Sequence, residues 1–197
     1  MSMRSRLSQL KKSVPDWKRL SGDSGYQHNG QHLGKHTEDV ISEVSKIDQY
    51  AKLPLDYQEI VILAAFFHDM GKPTGKIDGL VPRLIDHEAK SGKIAQRELK
   101  KIGITAEIIR KVKLLISNDN LMSEFGRTKL HGGKYTGVLP SLTAKHFKYD
   151  KWLLTALLIL NKADVIAAGK GSGKPGRWGK IRPWVIEYFN ACMKEAK

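Results

Sequence analysis

Apolar residues recur at steps of three and four through most of the chain, the spacing of one buried face on an α-helix. Leu7, Leu10, Val14 and Trp17 mark a short amphipathic segment interrupted by Pro15. The polar, glycine-containing stretch SGDSGYQHNGQHLGKHT reads as loop. A helix is predicted over about 35–50, with Val40, Val44 and Ile47 on one face. His36 lies four residues before Val40 and shares that face. Residues 57–67 are apolar all round, which predicts burial on every side. His68 and Asp69 close that run, and GKPTGKIDG stops it with Gly and Pro. Further helices are predicted over about 82–101, ended by Gly103, and from an N-cap at Thr105 through Ile116. In the second, Ile108, Ile109, Val112 and Leu115 point inward. Residues 118–146 hold Gly132, Gly133, Gly137 and Pro140 and read as a long loop with room for one short helix. A strongly apolar helix follows over about 150–168, then a flexible basic loop, GKGSGKPGRWGK. A last helix over about 182–194 carries Trp184, Val185, Tyr188 and Phe189. Few stretches alternate with period two, so strands are not needed. The expected class is all-α, one helical domain spanning 1–197.

Composition fits that reading. A chain of 197 residues with 41% hydrophobic content can bury a core without disulfides. The one cysteine, Cys192, cannot form an internal disulfide and reads as a small helix residue. A reducing, cytoplasmic compartment is expected. No segment reaches the roughly 20 apolar residues of a membrane span, and the basic N-terminus lacks the apolar run of a signal peptide. No membrane partner is expected.

Charge narrows the choice of partner. Lys and Arg number 34 against 20 Asp and Glu, a net +14. A field of that sign favours nucleotides or nucleic acids. The basic residues cluster at 11–19, 90–113 and 170–182, which spreads the charge over a face and not along a tail.

The candidate chemistry rests on buried charge. A carboxylate inside an apolar helix is costly unless it is paired or bound to a cation. Asp69 closes the most apolar helix. Asp164 lies seven residues after Leu157 and four after Leu160, on their face. With His36 and His68 they supply two imidazoles and two carboxylates. Such a set suits Mn²⁺, Fe²⁺, Ni²⁺, Zn²⁺ or Mg²⁺. Taken singly, an inward histidine is more often a core residue, and Asp164 alone could cap a helix or pair with a lysine; the combination carries the reading. His28 and His32 stand four apart, with His36 four further on, but Gly30 and Gly34 argue against a helix through them. They are expected on a loop, within approach of a substrate. GKGSGKPG lacks the Ser/Thr and the preceding strand of a phosphate-binding loop, although Lys170, Lys174 and Arg177 could touch phosphates.

Four motifs together, GKHTEDVISEV, LAAFFHDMGKP, HEAKSGKIA and NKADVIAAG, resemble the HD superfamily of phosphohydrolases over about residues 27–169. The resemblance implies an HD-type helical bundle and a divalent metal held by His36, His68, Asp69 and Asp164. Thr37 matches a residue often seen beside the first histidine. Lys72 matches a lysine that commonly faces the substrate phosphate. His87, in HEAKSG, matches an active-site histidine of subfamilies acting on RNA ends, such as the HD domains attached to CCA-adding enzymes and bacterial poly(A) polymerases. In those, the stretch resembling LLISNDN usually has His where this chain has Asp119, so a complete second metal site does not carry over. The implied activity is hydrolysis of a phosphoester on a nucleotide or nucleic-acid end, with 2',3'-cyclic phosphodiesterase or phosphatase chemistry favoured. In it Asp69 orients water as a base, while Lys72 and His87 offset phosphoryl charge or protonate the leaving oxygen. The alternatives are a nucleoside triphosphate or 5'-monophosphate hydrolase, and a non-catalytic nucleic-acid-binding module on the same scaffold.

Overall fold

The computed structural model of the chain describes residues 3–21, 27–28, 31–72, 87–173 and 176–196, without the side chains of 27, 28 and 31. The architecture is all-helical. In chain order the elements are α1 (Met3–Ser13), α2 (Pro15–Ser21), β1 (Gln27–His28), β2 (Gln31–His32), α3 (Leu33–Val44), α4 (Asp48–Ala51), α5 (Leu55–Phe67) and α6 (His87–Lys101). Then come α7 (Ala106–Ile116), α8 (Leu121–Leu130), α9 (Pro140–His146), α10 (Lys151–Gly171) and α11 (Arg177–Glu195). The two short strands pair antiparallel, Gln27 opposite His32. They add no layer to the bundle, and the all-α class stands.

Two apolar helices form the centre. Every residue of α5 from Ile60 to Phe67 is buried. α10 packs against α3, α5 and α11 and turns most of its surface inward. By length and composition alone α10 could cross a membrane, which amends the sequence expectation, yet 72% of its most apolar 18 residues are buried inside the protein. The ends of these helices are tied by polar groups. Asp150 caps α10, its Oδ1 accepting from the Leu153 amide at 3.0 Å. Its other oxygen accepts from the Tyr57 hydroxyl at 2.6 Å, and Lys111 donates to that hydroxyl at 2.9 Å. Thr105 caps α7, as its position predicts, accepting from the Ile108 amide.

Three predicted boundaries move. The helix over 35–50 is two helices, because the chain turns at 45–47 and Ile47, in extended backbone, still reaches the core. The stretch 118–146 is not a long loop but holds α8 and α9. Gly126, inside α8, lets α11 come close: a Cβ there would stand 3.1 Å from Ile181 and Val185. Gly132, at φ +69°, ends the turn after α8, and Pro140 starts α9. The basic loop is also shorter than predicted. α10 runs on to Gly171 and α11 begins at Arg177, with Gly173 at φ +67° between them. The predicted start of α6 at 82–86, residues 73–79 of the GKPTGKIDG stop and Lys174 lie outside the described residues.

Phe66 joins the centre to the N-terminal helices. Its ring stacks on Trp17 of α2 at 5.2 Å and meets Phe67 edge-on at 4.9 Å. Phe66→Ala is expected to cost about 3–5 kcal/mol through lost burial and the cavity left behind. A lower denaturant midpoint at unchanged slope checks it.

Candidate metal centre

Four elements bring the charged residues together at one place. α5 keeps helical backbone through His68, whose amide donates to the Ala64 carbonyl at 2.8 Å, so the His68 side chain projects from the end of a buried helix. Its Nδ1–H donates to the Ala65 carbonyl at 2.8 Å. That fixes the tautomer and leaves Nε2, itself buried without a well-formed hydrogen bond, facing Asp69 Oδ2 at 3.4 Å and Asp164 Oδ1 at 3.8 Å. His36, fully buried on α3, places Nε2 2.9 Å from Asp164 Oδ1 and 3.7 Å from Asp69 Oδ2.

These distances fit a divalent ion. Bonds of roughly 2.0–2.2 Å set the donors around one ion about 3–4 Å apart. The donor atoms of His36, His68 and Asp164 all lie within 4.8 Å of one another. A second group, His68, Asp69 and Asp119, meets the same limit. His68 belongs to both.

The electrostatics explain why the carboxylates stay charged. Burial pushes Asp69 up, but His68, Lys72 and His36 outweigh it and hold the group well below the ordinary carboxylate range. Burial likewise works against Asp164, yet its hydrogen bond from His36 and the charge on His68 bring it down to about 2. Burial alone would lower His68; the Asp69, Asp164 and Asp119 carboxylates raise it to about 9. Asp119 goes the other way. Burial drives it well above its ordinary value, and Asp164 and Asp69 add to the effect against the pull of His68. Its Oδ1 is buried without a hydrogen bond. His68 offsets the burial of Asp119 only in part, and an ion bound there would complete the compensation.

Lys72 and His87 stand on the same carboxylate from two sides. Lys72 is buried and donates to Asp69 Oδ2 at 2.6 Å, so it is not a solvated loop lysine. His87, the buried first residue of α6, sits with Nε2 3.8 Å from Asp69 Oδ1 and Nδ1 3.1 Å from Glu88 Oε2. Gly71 makes this approach feasible, because a Cβ there would strike the His87 carbonyl. The Gly71 amide donates to Ser91 Oγ at 2.8 Å, which pins α6 to the turn after the His-Asp doublet.

The other sequence candidates fall differently. Thr37 is buried in α3 next to His36, and among the described residues its hydroxyl has no hydrogen bond to the cluster. His32 occupies the N-cap position of α3 and belongs to neither ligand group. Gly34, expected to break a helix, lies inside α3, where a Cβ would meet Ser21. The side chain of His28 lies outside the described residues.

One contributor has no signal in the sequence. Arg19 of α2 donates to the Met70 carbonyl at 2.9 Å and to the Lys72 carbonyl at 3.1 Å. It therefore clamps the backbone that carries Asp69 and Lys72, from 51 and 53 residues away in sequence. No local pattern signals such a pairing.

Residues 33–169 match the HD domain family. No curated protein and no solved structure matches the chain.

Two measurements test the centre. Asp164→Asn is expected to weaken Mn²⁺ or Ni²⁺ binding by at least the ~10–100-fold that loss of an outer-shell partner costs, read by calorimetric titration of the chelator-treated protein. Arg19→Ala should cost about 1 kcal/mol of stability for two part-exposed hydrogen bonds and lower metal affinity in the same titration, since the turn it holds carries Asp69.

Proposed function

The chain belongs to the HD domain family, and from that premise we propose that it hydrolyses a phosphoester at the end of a nucleic acid or on a nucleotide, with 2',3'-cyclic phosphate or phosphomonoester ends favoured. HD domains form a superfamily of metal-dependent phosphohydrolases. The observation that carries the reading is the placing of Lys72 and His87 on opposite oxygens of one buried carboxylate, Asp69, which itself belongs to the second ligand group.

His36, His68 and Asp164 would hold a divalent ion, with Asp69 beside them. When bound, such an ion supplies a Lewis acid for a phosphoryl oxygen and lowers the pKa of water. The remaining tasks fall to the chain's own residues. Asp69 Oδ1, the oxygen that Lys72 does not hold, can take a proton from an attacking water. Lys72 brings a fixed positive charge to offset the charge that grows on the phosphoryl oxygens. Asp69 holds that ammonium in place and raises its pKa against the opposing effect of burial, so it stays charged. His87 can deliver a proton from Nε2 to the leaving oxygen, with Glu88 on Nδ1 to hold the ring. The +14 charge suits a polyanionic substrate, and HEAKSG supports the RNA-end class by its resemblance.

A phosphate-release screen over nucleotides, cyclic nucleotides and RNA ends, run with Mg²⁺, Mn²⁺, Ni²⁺ and Zn²⁺ in turn, tests the proposal. Asp69→Ala is expected to abolish hydrolysis of every substrate the parent accepts and leave polyanion binding nearly intact. His87→Ala is expected to lower kcat by roughly 10²–10⁴-fold. Full activity in Asp69→Ala, or no activity of the parent with any metal, would overturn the assignment.

A further inference from the structure

A basic cluster lies where α8 ends and α10 hands over to α11. A pocket of about 580 Å³ opens there, lined by Arg127, Leu130, His131, Ser172, Arg177 and Lys180 among others. No carboxylate among the described residues lines it. Among the described residues, Arg127, Arg177 and Lys180 form no ion pair, although 18 ion pairs occur elsewhere. Arg127 has one side-chain partner, Ser123 Oγ at 3.2 Å.

The arrangement is unfavourable without an anion. Three cations face one cavity, and two of them stand in the first turn of α11, whose amide dipoles already make that end positive. No acidic residue occupies that turn, and no side chain caps it. Burial and the Arg177 guanidinium push Arg127 below its ordinary value. A phosphate in the pocket would meet all three charges together with the first-turn amides of a 19-residue helix. Leu130, 42% exposed, and the buried Ile181 give the pocket an apolar wall against which a base or ribose can lie.

The pocket also lies within electrostatic reach of the metal centre. Asp164 and Asp119 lie near enough that their charges act on Arg127. Along α10, Ser172 follows Asp164 by eight residues, about 12 Å of helix. A mononucleotide bound at the metal centre cannot span that distance with its own phosphate, whereas a strand with further phosphodiesters can.

We infer that this pocket is a subsite for a backbone phosphate of a single-stranded nucleic acid whose end lies at the metal centre. The inference rests on the nucleic-acid-end reading of that centre and makes it more specific: the substrate is an oligonucleotide and not a free nucleotide. Arg177 and Lys180 are then specificity residues that bind substrate away from the reacting atoms.

The test is the affinity of a short fluorescein-labelled single-stranded RNA, measured by anisotropy in EDTA so that no turnover occurs. Arg177→Ala/Lys180→Ala is expected to weaken binding at least about tenfold, as removal of a charge-assisted hydrogen bond does. It should flatten the dependence of log affinity on log salt by about 0.7 for each phosphate left unpaired. Arg177→Lys/Lys180→Arg should restore most of the affinity. Lys100→Ala/Arg110→Ala, which removes the same charge from a different pocket, should weaken binding much less. Equal weakening by both alanine pairs, or none by the first, overturns the subsite, as does a parent that does not bind the RNA. Melting temperatures close to the parent's confirm that the variants fold. The two proposals fail separately. A chain that hydrolyses phosphoesters but keeps its RNA affinity in Arg177→Ala/Lys180→Ala loses the subsite alone. A chain that hydrolyses none but loses RNA affinity in that variant loses the activity alone.

Discussion

Keeping a carboxylate ionised inside apolar packing requires compensating positive charge, and Asp69 sets that requirement for the whole centre. It follows the most apolar helix in the protein and is nearly inaccessible to water. Its neighbours are arranged around the cost: Lys72 on one oxygen, His87 near the other, His36 and His68 beside them. Each of those groups needs a support of its own. His68 has the Ala65 carbonyl, His36 has Asp164, and His87 has Glu88. The result is a polar network inside the core, and such a network is stable only when most of its members are satisfied.

The members left short are informative. His68 Nε2 and Asp119 Oδ1 are buried without well-formed hydrogen bonds; His68 belongs to both ligand groups and Asp119 to the second. Buried atoms of this kind, set within a cluster of ligand-type side chains, mark where another chemical group belongs. Asp119 is held in place from behind by Asn161 of α10, which donates to the Asp119 carbonyl. The helix that supplies Asp164 thereby also fixes the turn that supplies Asp119.

Much of this is legible in the sequence, for physical reasons that differ by residue. α5, α7 and α10 announce themselves because their apolar pattern is dense and unbroken. Asp69 and Asp164 stand out because a charge inside such a pattern needs an explanation. His36 rests on helix phase together with the resemblance, since an inward histidine alone is more often a core residue. Two of the failures share a cause: glycine and proline read as loop markers, whereas Gly34 serves close packing inside a helix and Pro140 starts one. Whether a glycine breaks a helix or lets another chain segment approach depends on what lies opposite, and a local pattern does not contain that. Arg19 and Gly71 are invisible for the same reason, since their roles exist only once α2 and α6 have docked against the turn after α5.

The Arg19 clamp changes what counts as the domain. The family match begins at Leu33, but the backbone that presents Asp69 and Lys72 is held by a guanidinium that precedes it, on a helix whose Trp17 and Leu20 are part of the core. At the other end, Tyr188 of α11 is fully buried and its hydroxyl donates to the Val138 carbonyl at 2.6 Å. The family boundary and the cooperative folding unit are therefore different objects. A piece excised at the family boundary would contain every proposed ligand and still lack the struts that keep them in register.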